Sequence, residues 1–154
     1  VDIKSLIRIE LVQVLNIMLK DKFILVGSNW KKYCPNALED NYKGNYIENL
    51  YRGNICIDFG SKQSERCIYS RSCKIIESGG LLFQSINKDS KEIFKNLQDK
   101  TCFISIQDMK EKISFFLNNS DQIENLLIIQ QKNFESEDFN YRTIKKIENF
   151  IYSI

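Results

Sequence analysis

Apolar positions in residues 3–19, IKSLIRIELVQVLNIML, recur with helical spacing at Ile3, Leu6, Ile7, Ile9, Leu11, Val12, Val14 and Leu15. That pattern predicts a helix with a broad apolar face, buried on more than one side. The burst Phe23 to Val26, closed by Gly27, reads as a buried strand. The stretch 29–45 is polar and aromatic, broken by Pro35 and Gly44, and reads as loop. YIENLYRGN (46–54) fits a two-turn helix ended by Gly53. A second strand follows in ICIDFG (55–60), then a polar loop, SKQSERC.

Ser70 is placed to cap a helix through Glu77, Gly79 to stop it, and GLLFQSI to form a third strand. DSKEIFKNL reads as a short helix, and TCFISI (101–106) as a fourth strand near an edge. From Gln107 the pattern is helical in three segments, QDMKEKISFFLNN, SDQIENLLIIQQKNF and NYRTIKKIENFIY. Ser120 or Asp121 would cap the second, with Glu124 as capping-box partner.

Strands alternating with helices imply right-handed crossovers and an α/β fold, with a Rossmann-like parallel sheet covered by helices on both faces. The expected organisation is one domain over 1–154, with 107–154 as its helical tail. In such sheets ligands bind beyond the carboxyl ends of the strands, so the loops after Gly27, Phe59 and Gln84 would line a site.

Composition narrows the chemistry. The 22 basic and 20 acidic residues leave a formal charge of +2, without the basic excess that nucleic-acid binding usually needs. The chain has no histidine, which excludes a Ser-His or Cys-His hydrolase within it. Its five cysteines (Cys34, Cys56, Cys67, Cys73, Cys102) form no C-x-x-C pair, which argues against structural zinc. Cys56, Cys73 and Cys102 lie in apolar segments and read as small buried hydrophobes, a usage that suits a reducing cytoplasmic setting. No apolar run is long enough to cross a bilayer. The chain opens on Val1 without an initiator Met, so a piece of a longer protein is expected. Neither G-x-x-x-x-G-K-[ST] nor G-x-G-x-x-G occurs, which argues against a P-loop or dinucleotide enzyme.

The ordered series Tyr46 to Tyr152 carries a family resemblance. It runs from the ICIDFG strand through "RSCKIIESGGLL" to an acidic turn, a late strand and "DMKEKISFFL", and ends on "NFESEDFNYRT". It is similar to the nucleotide-sugar-binding C-terminal domain of GT-B glycosyltransferases, in particular the glycosyl transferases group 1 proteins. The resemblance implies a transferase domain binding the diphosphate of a nucleotide sugar, with no metal and no cofactor besides that substrate. It implies that the N-terminal acceptor-binding domain is missing, that the acceptor is an unknown glycan, lipid or protein, and that the isolated piece is inactive.

Carried over residue by residue, Arg71 falls on the family's Arg at the helix start, where it would pair with a phosphate. The bland alternative is a solvated helix-end arginine. Gly79 and Gly80 match the family's Gly-Gly, and also suit a helix stop followed by close backbone approach. Lys74 stands where the family's Glu grips the ribose hydroxyls, and a lysine has no acceptor atoms. Glu77, on the same helix face, either takes over that contact or forms a surface pair with Lys74. Asp58, at the expected mouth of the sheet, either meets a sugar or amide or caps the next turn. Glu65 and Arg66 fall where the family's donor-sugar contacts lie. Lys31 and Lys32 read as phosphate contacts or a solvated pair, and Trp30 as a stacking platform or a cover. The rival reading is a non-catalytic α/β interaction module that has lost its ligand, which Lys74 favours.

Overall fold

The computed structural model describes residues 3–39, 44–59, 70–87 and 90–136. The chain divides into two compact units, 1–50 and 51–154.

In the first unit, helix α1 (Ile3–Leu19) buries Leu11, Val12 and Leu15. A 3-10 turn at Lys20–Lys22 follows, and then an extended stretch. The expected strand at Phe23–Val26 does not enter the sheet. It makes a single parallel bridge, Val26 with Leu38, and Leu38 N–H donates to Leu25 O at 2.8 Å. The physical reason is its alternation. Phe23 and Leu25 pack on a small core of Val12, Cys34 and Ala37, whereas Ile24 is 54% exposed, so the run is not buried on both faces. Trp30 packs on the same core and meets Tyr33 edge-on at 6.1 Å. Helix α2 (Tyr46–Tyr51) carries the chain toward the second unit, and Gly53, at φ 71°, ends its turn.

The second unit is α/β, built on a three-stranded parallel sheet in the order β1 (Ile55–Asp58), β2 (Leu81–Ser85), β3 (Cys102–Phe103). Helix α3 (Ser70–Glu77) connects β1 to β2. Helix α4 (Ser90–Phe94), a 3-10 turn and α5 (Gln98–Thr101) connect β2 to β3. The expected fourth strand is thus a two-residue edge strand. It is short because Ser105 starts helix α6 (Ile106–Asn118) early: its hydroxyl accepts the Asp108 N–H, while Asp108 Oδ2 accepts the Ile104 N–H at 3.0 Å. Helix α7 (Asp121–Ser136) follows as expected, and the third predicted helical segment lies outside the described residues.

Register assigns the two faces. Ile55 pairs with Leu81 and Asp58 with Gln84, and Gln84 pairs with Cys102. Successive side chains alternate, so Cys56, Asp58, Leu82, Gln84 and Cys102 share one face and Leu81, Phe83 and Phe103 the other. Helix α3 covers the first face: its Ser72 bonds Asp58, and a Cβ on Gly80 would lie 3.0 Å from Ile75. Helix α6 covers the second, where Phe116 meets Phe83 edge-on at 5.6 Å. Leu81, Leu82 and Phe83 are fully buried between these layers, together with Ile75, Ile76, Met109 and Ile113. A buried Val/Leu/Ile/Phe/Met side chain contributes about 1.5–3 kcal/mol, so this sandwich carries most of the unit's stability.

Candidate functional site at the carboxyl edge of the sheet

Three buried side chains form a row across the sheet: Asp58, the last residue of β1, Gln84, one residue before the end of β2, and Cys102, the first of β3, exposed by 1%, 0% and 2%. Parallel pairing places them side by side, about 4.8 Å from strand to strand. Asp58 is joined to the first turn of α3. Arg71 Nη2 donates to its Oδ1 at 2.6 Å, and Ser72 Oγ donates to its Oδ2 at 2.6 Å. A carboxylate at this point also complements the partial positive charge at the start of a helix.

The Arg71 guanidinium sits half in and half out of this arrangement, with its side chain 57% exposed while that of Asp58 is fully buried. Burial alone would lower its pKa, but the hydrogen bond and charge of Asp58 outweigh that and raise it, so Arg71 is held as a fixed cation. Tyr51 lies within the same field: burial raises its hydroxyl, and the nearby Arg71 charge opposes that shift.

The remaining sequence-predicted residues divide clearly. Lys74 and Glu77 are both exposed on α3. Gly79, at φ 78°, is the left-handed residue of a Schellman stop: its N–H donates to Ile76 O at 3.0 Å, and the Gly80 N–H to Ile75 O at 2.9 Å. A Cβ on Gly80 would stand 2.9 Å from both Cys56 Sγ and Tyr51 O. Chain packing accounts for both glycines. The structure therefore brings Asp58 and Arg71 together, and places the Gly-Gly pair at the opposite end of β2.

Lys31 pairs with Glu39 on the surface, and the Lys32 ammonium lies 4.7 Å over the Tyr33 ring. The solvated-pair reading accounts for these lysines, and core packing for Trp30. Glu65 and Arg66 lie outside the described residues. Among the cysteines, Cys56 and Cys102 are buried as expected and Cys73 is only half-buried, while Cys34, which pattern did not single out, is buried.

Two residues at the sheet escaped sequence reasoning. Ser72 was hidden by its place in a mixed helical pattern. Gln84 ends the apolar run GLLFQ, and that polar intrusion into a buried strand was the available signal. Its amide nitrogen and oxygen have no hydrogen-bond partner among the described residues.

Among the described residues no group of three or more His, Cys, Asp or Glu is placed to hold a metal ion, and no helix is long and apolar enough to cross a membrane. The sequence matches no protein-family model, and neither a curated protein nor a solved structure matches the chain.

Proposed function

We propose that residues 51–154 are a donor-binding domain of the GT-B glycosyltransferase type, taking the diphosphate of a nucleotide sugar at the carboxyl edge of the sheet. The observation that carries this reading is the Arg71–Asp58 pair. A buried carboxylate at the end of β1 fixes a guanidinium that stays more than half exposed in the first turn of a helix. Exposed, pre-oriented N–H donors of permanent charge are suited to phosphate oxygens, and the helix start adds favourable field. The family resemblance of the surrounding sequence supplies the ligand class. Transfer itself also requires an acceptor-binding domain, so donor binding is the part of the reaction assigned to residues 51–154.

Calorimetry with UDP, GDP and their sugars tests the reading. Binding by one or more of them, weakened about tenfold or more by Arg71→Ala, is the expected result. A folded sample that binds none of them sinks it.

The second reading, a non-catalytic interaction module, is favoured by a specific feature: Asp58 already neutralises Arg71, and Lys74 stands exposed where the family carries its ribose-binding carboxylate. The same titration separates the two, because the module binds no nucleotide while remaining folded.

A further inference from the structure

We propose that Gln84 and the paired isoleucines Ile86 and Ile104 form a base-reading subsite for a nucleoside diphosphate whose phosphates meet Arg71. This rests on the donor-binding reading and adds to it which residues recognise the nucleoside.

The starting point is the Gln84 amide. It is fully buried, and neither its nitrogen nor its oxygen has a hydrogen-bond partner among the described residues. Buried polar groups are nearly always paired, and an exception calls for a function. An amide offers a donor and an acceptor side by side, which is the complement of the hydrogen-bonding edge of a nucleobase.

The surroundings provide the rest of such a site. The ladder continues past the last paired residues, with the Ile86 N–H donating to Phe103 O at 2.9 Å, so Ile86 stands beside Ile104. Alternation places both on the face of Gln84, one pleat farther out, about 7 Å along the strand. These residues are 44% and 75% exposed, an apolar lip one pleat beyond the buried amide. The Ile104 backbone is fixed by the Asp108 carboxylate, so the lip is held although its side chains face water. A planar base suits that surface by its face and the amide by its edge. Because the Gln84 amide has no internal hydrogen bond to break, turning toward the lip forfeits none.

Spacing and charge agree. Two strand spacings, about 10 Å, separate β1 from β3, which is of the order of the distance from a base to its diphosphate. Arg71 stands at the β1 end as the cation, Gln84 and Ile86 lie along β2, and Ile104 follows β3, so the apolar surface spans the two strands on the side away from Arg71.

The test uses the full chain with UDP, GDP, ADP, CDP and inorganic pyrophosphate as probes. The wild type is expected to prefer one nucleoside diphosphate over the others by about tenfold or more. Gln84→Met should reduce that preference to within about twofold and leave pyrophosphate binding unchanged. It should also melt higher than the wild type without ligand, since it removes an unpaired amide. Ile104→Asp, at a surface position that does not endanger folding, should weaken every nucleotide but not pyrophosphate. Arg71→Ala should weaken all probes.

A base preference that survives in Gln84→Met, or nucleotide affinity unchanged in Ile104→Asp, overturns the subsite while the donor-binding reading stands. A Gln84→Met variant that melts lower or fails to fold also overturns it, because the amide would then have a structural role. Failure of the wild type to bind any probe removes the donor-binding reading and the subsite with it.

Discussion

Gln130 of α7 stands in for a strand beside Leu82. The Leu82 N–H donates to Gln130 Oε1 at 2.9 Å, and Gln130 Nε2 donates to Gly80 O at 2.8 Å. Leu81 N–H points the other way, to Asn54 O, so these two backbone groups lie on the β2 edge that faces away from β1. The edge strand β3 pairs only from Gln84 onward. One side-chain amide thus repeats the donor–acceptor pattern of a peptide group and closes a sheet edge that would otherwise be open.

Gln130→Leu keeps the volume and removes both bonds, which leaves a buried N–H and a buried C=O unpaired. Such groups cost about 1–3 kcal/mol each, so a loss of about 2–6 kcal/mol is expected in urea unfolding. Amide exchange offers a local check: the Leu82 N–H should lose protection more than Leu81, whose bond to Asn54 is untouched.

Asp58 and Arg71 should respond unequally to mutation. Asp58 is wholly buried, and its removal strands Ser72 Oγ and frees Arg71 at once. Asp58→Ala is expected to cost about 3–5 kcal/mol. Arg71 is more than half exposed, so solvent screens its share, and Arg71→Ala should cost nearer about 1 kcal/mol. Chemical denaturation of both single variants and the double variant checks this. Equal costs would mean that the pair is not the asymmetric anchor the geometry implies.

Local signals made the helices legible. Ile3–Leu19 and Asp121–Ser136 announce themselves by apolar spacing, and Gly79 by its place after Glu77. The strands were harder, because a short apolar run does not say which partner will pair with it. Phe23–Val26 has the composition of a strand, yet its partner is Leu38 and its role is to cover α1. TCFISI was cut short by the competing cap at Ser105. The candidate site was half visible. Arg71 and Asp58 could each be singled out from sequence, but their direct pairing depends on how α3 folds back over β1. Gln84 matters through the lack of a partner and Gln130 through Leu82 and Gly80, 48 and 50 residues away, separations that no local pattern reports.

The two glycines that follow α3 should differ in cause and in cost. Gly79→Ala meets only the Arg52 side chain at 3.9 Å, so its penalty is that of a left-handed alanine, about 1–2 kcal/mol. Gly80→Ala has an ordinary backbone but drives a methyl to 2.9 Å from a backbone carbonyl and from the Cys56 sulfur. Overpacking of this kind costs about 1–3 kcal/mol. Cys56→Ala should rescue part of the Gly80→Ala loss and none of the Gly79→Ala loss, read as melting temperatures of the double variants.

The buried thiols predict a loss of stability in alkali. Burial pushes Cys56 up to about 12 from its ordinary value of 9.0. Cys102 is likewise pushed up to about 12, chiefly by burial, although the hydrogen bond from Ser90 and the charge of Lys112 oppose it. Between those values the folded chain keeps protons that the unfolded chain releases. The stabilisation is therefore fully present below about pH 9 and lost as pH rises toward about 12. Each thiol contributes a slope of about 1.4 kcal/mol per pH unit in that window, and Tyr51, also raised by burial, adds the same sign at higher pH. Urea unfolding at about pH 8 and about pH 10 should show a combined loss of about 3 kcal/mol from the two thiols. The double variant Cys56→Ala/Cys102→Ala should flatten that part of the profile, and iodoacetamide should leave both cysteines unmodified in the folded chain near neutral pH. Rapid alkylation of either, or an unchanged profile in the double variant, would show that the thiols are not held neutral by burial.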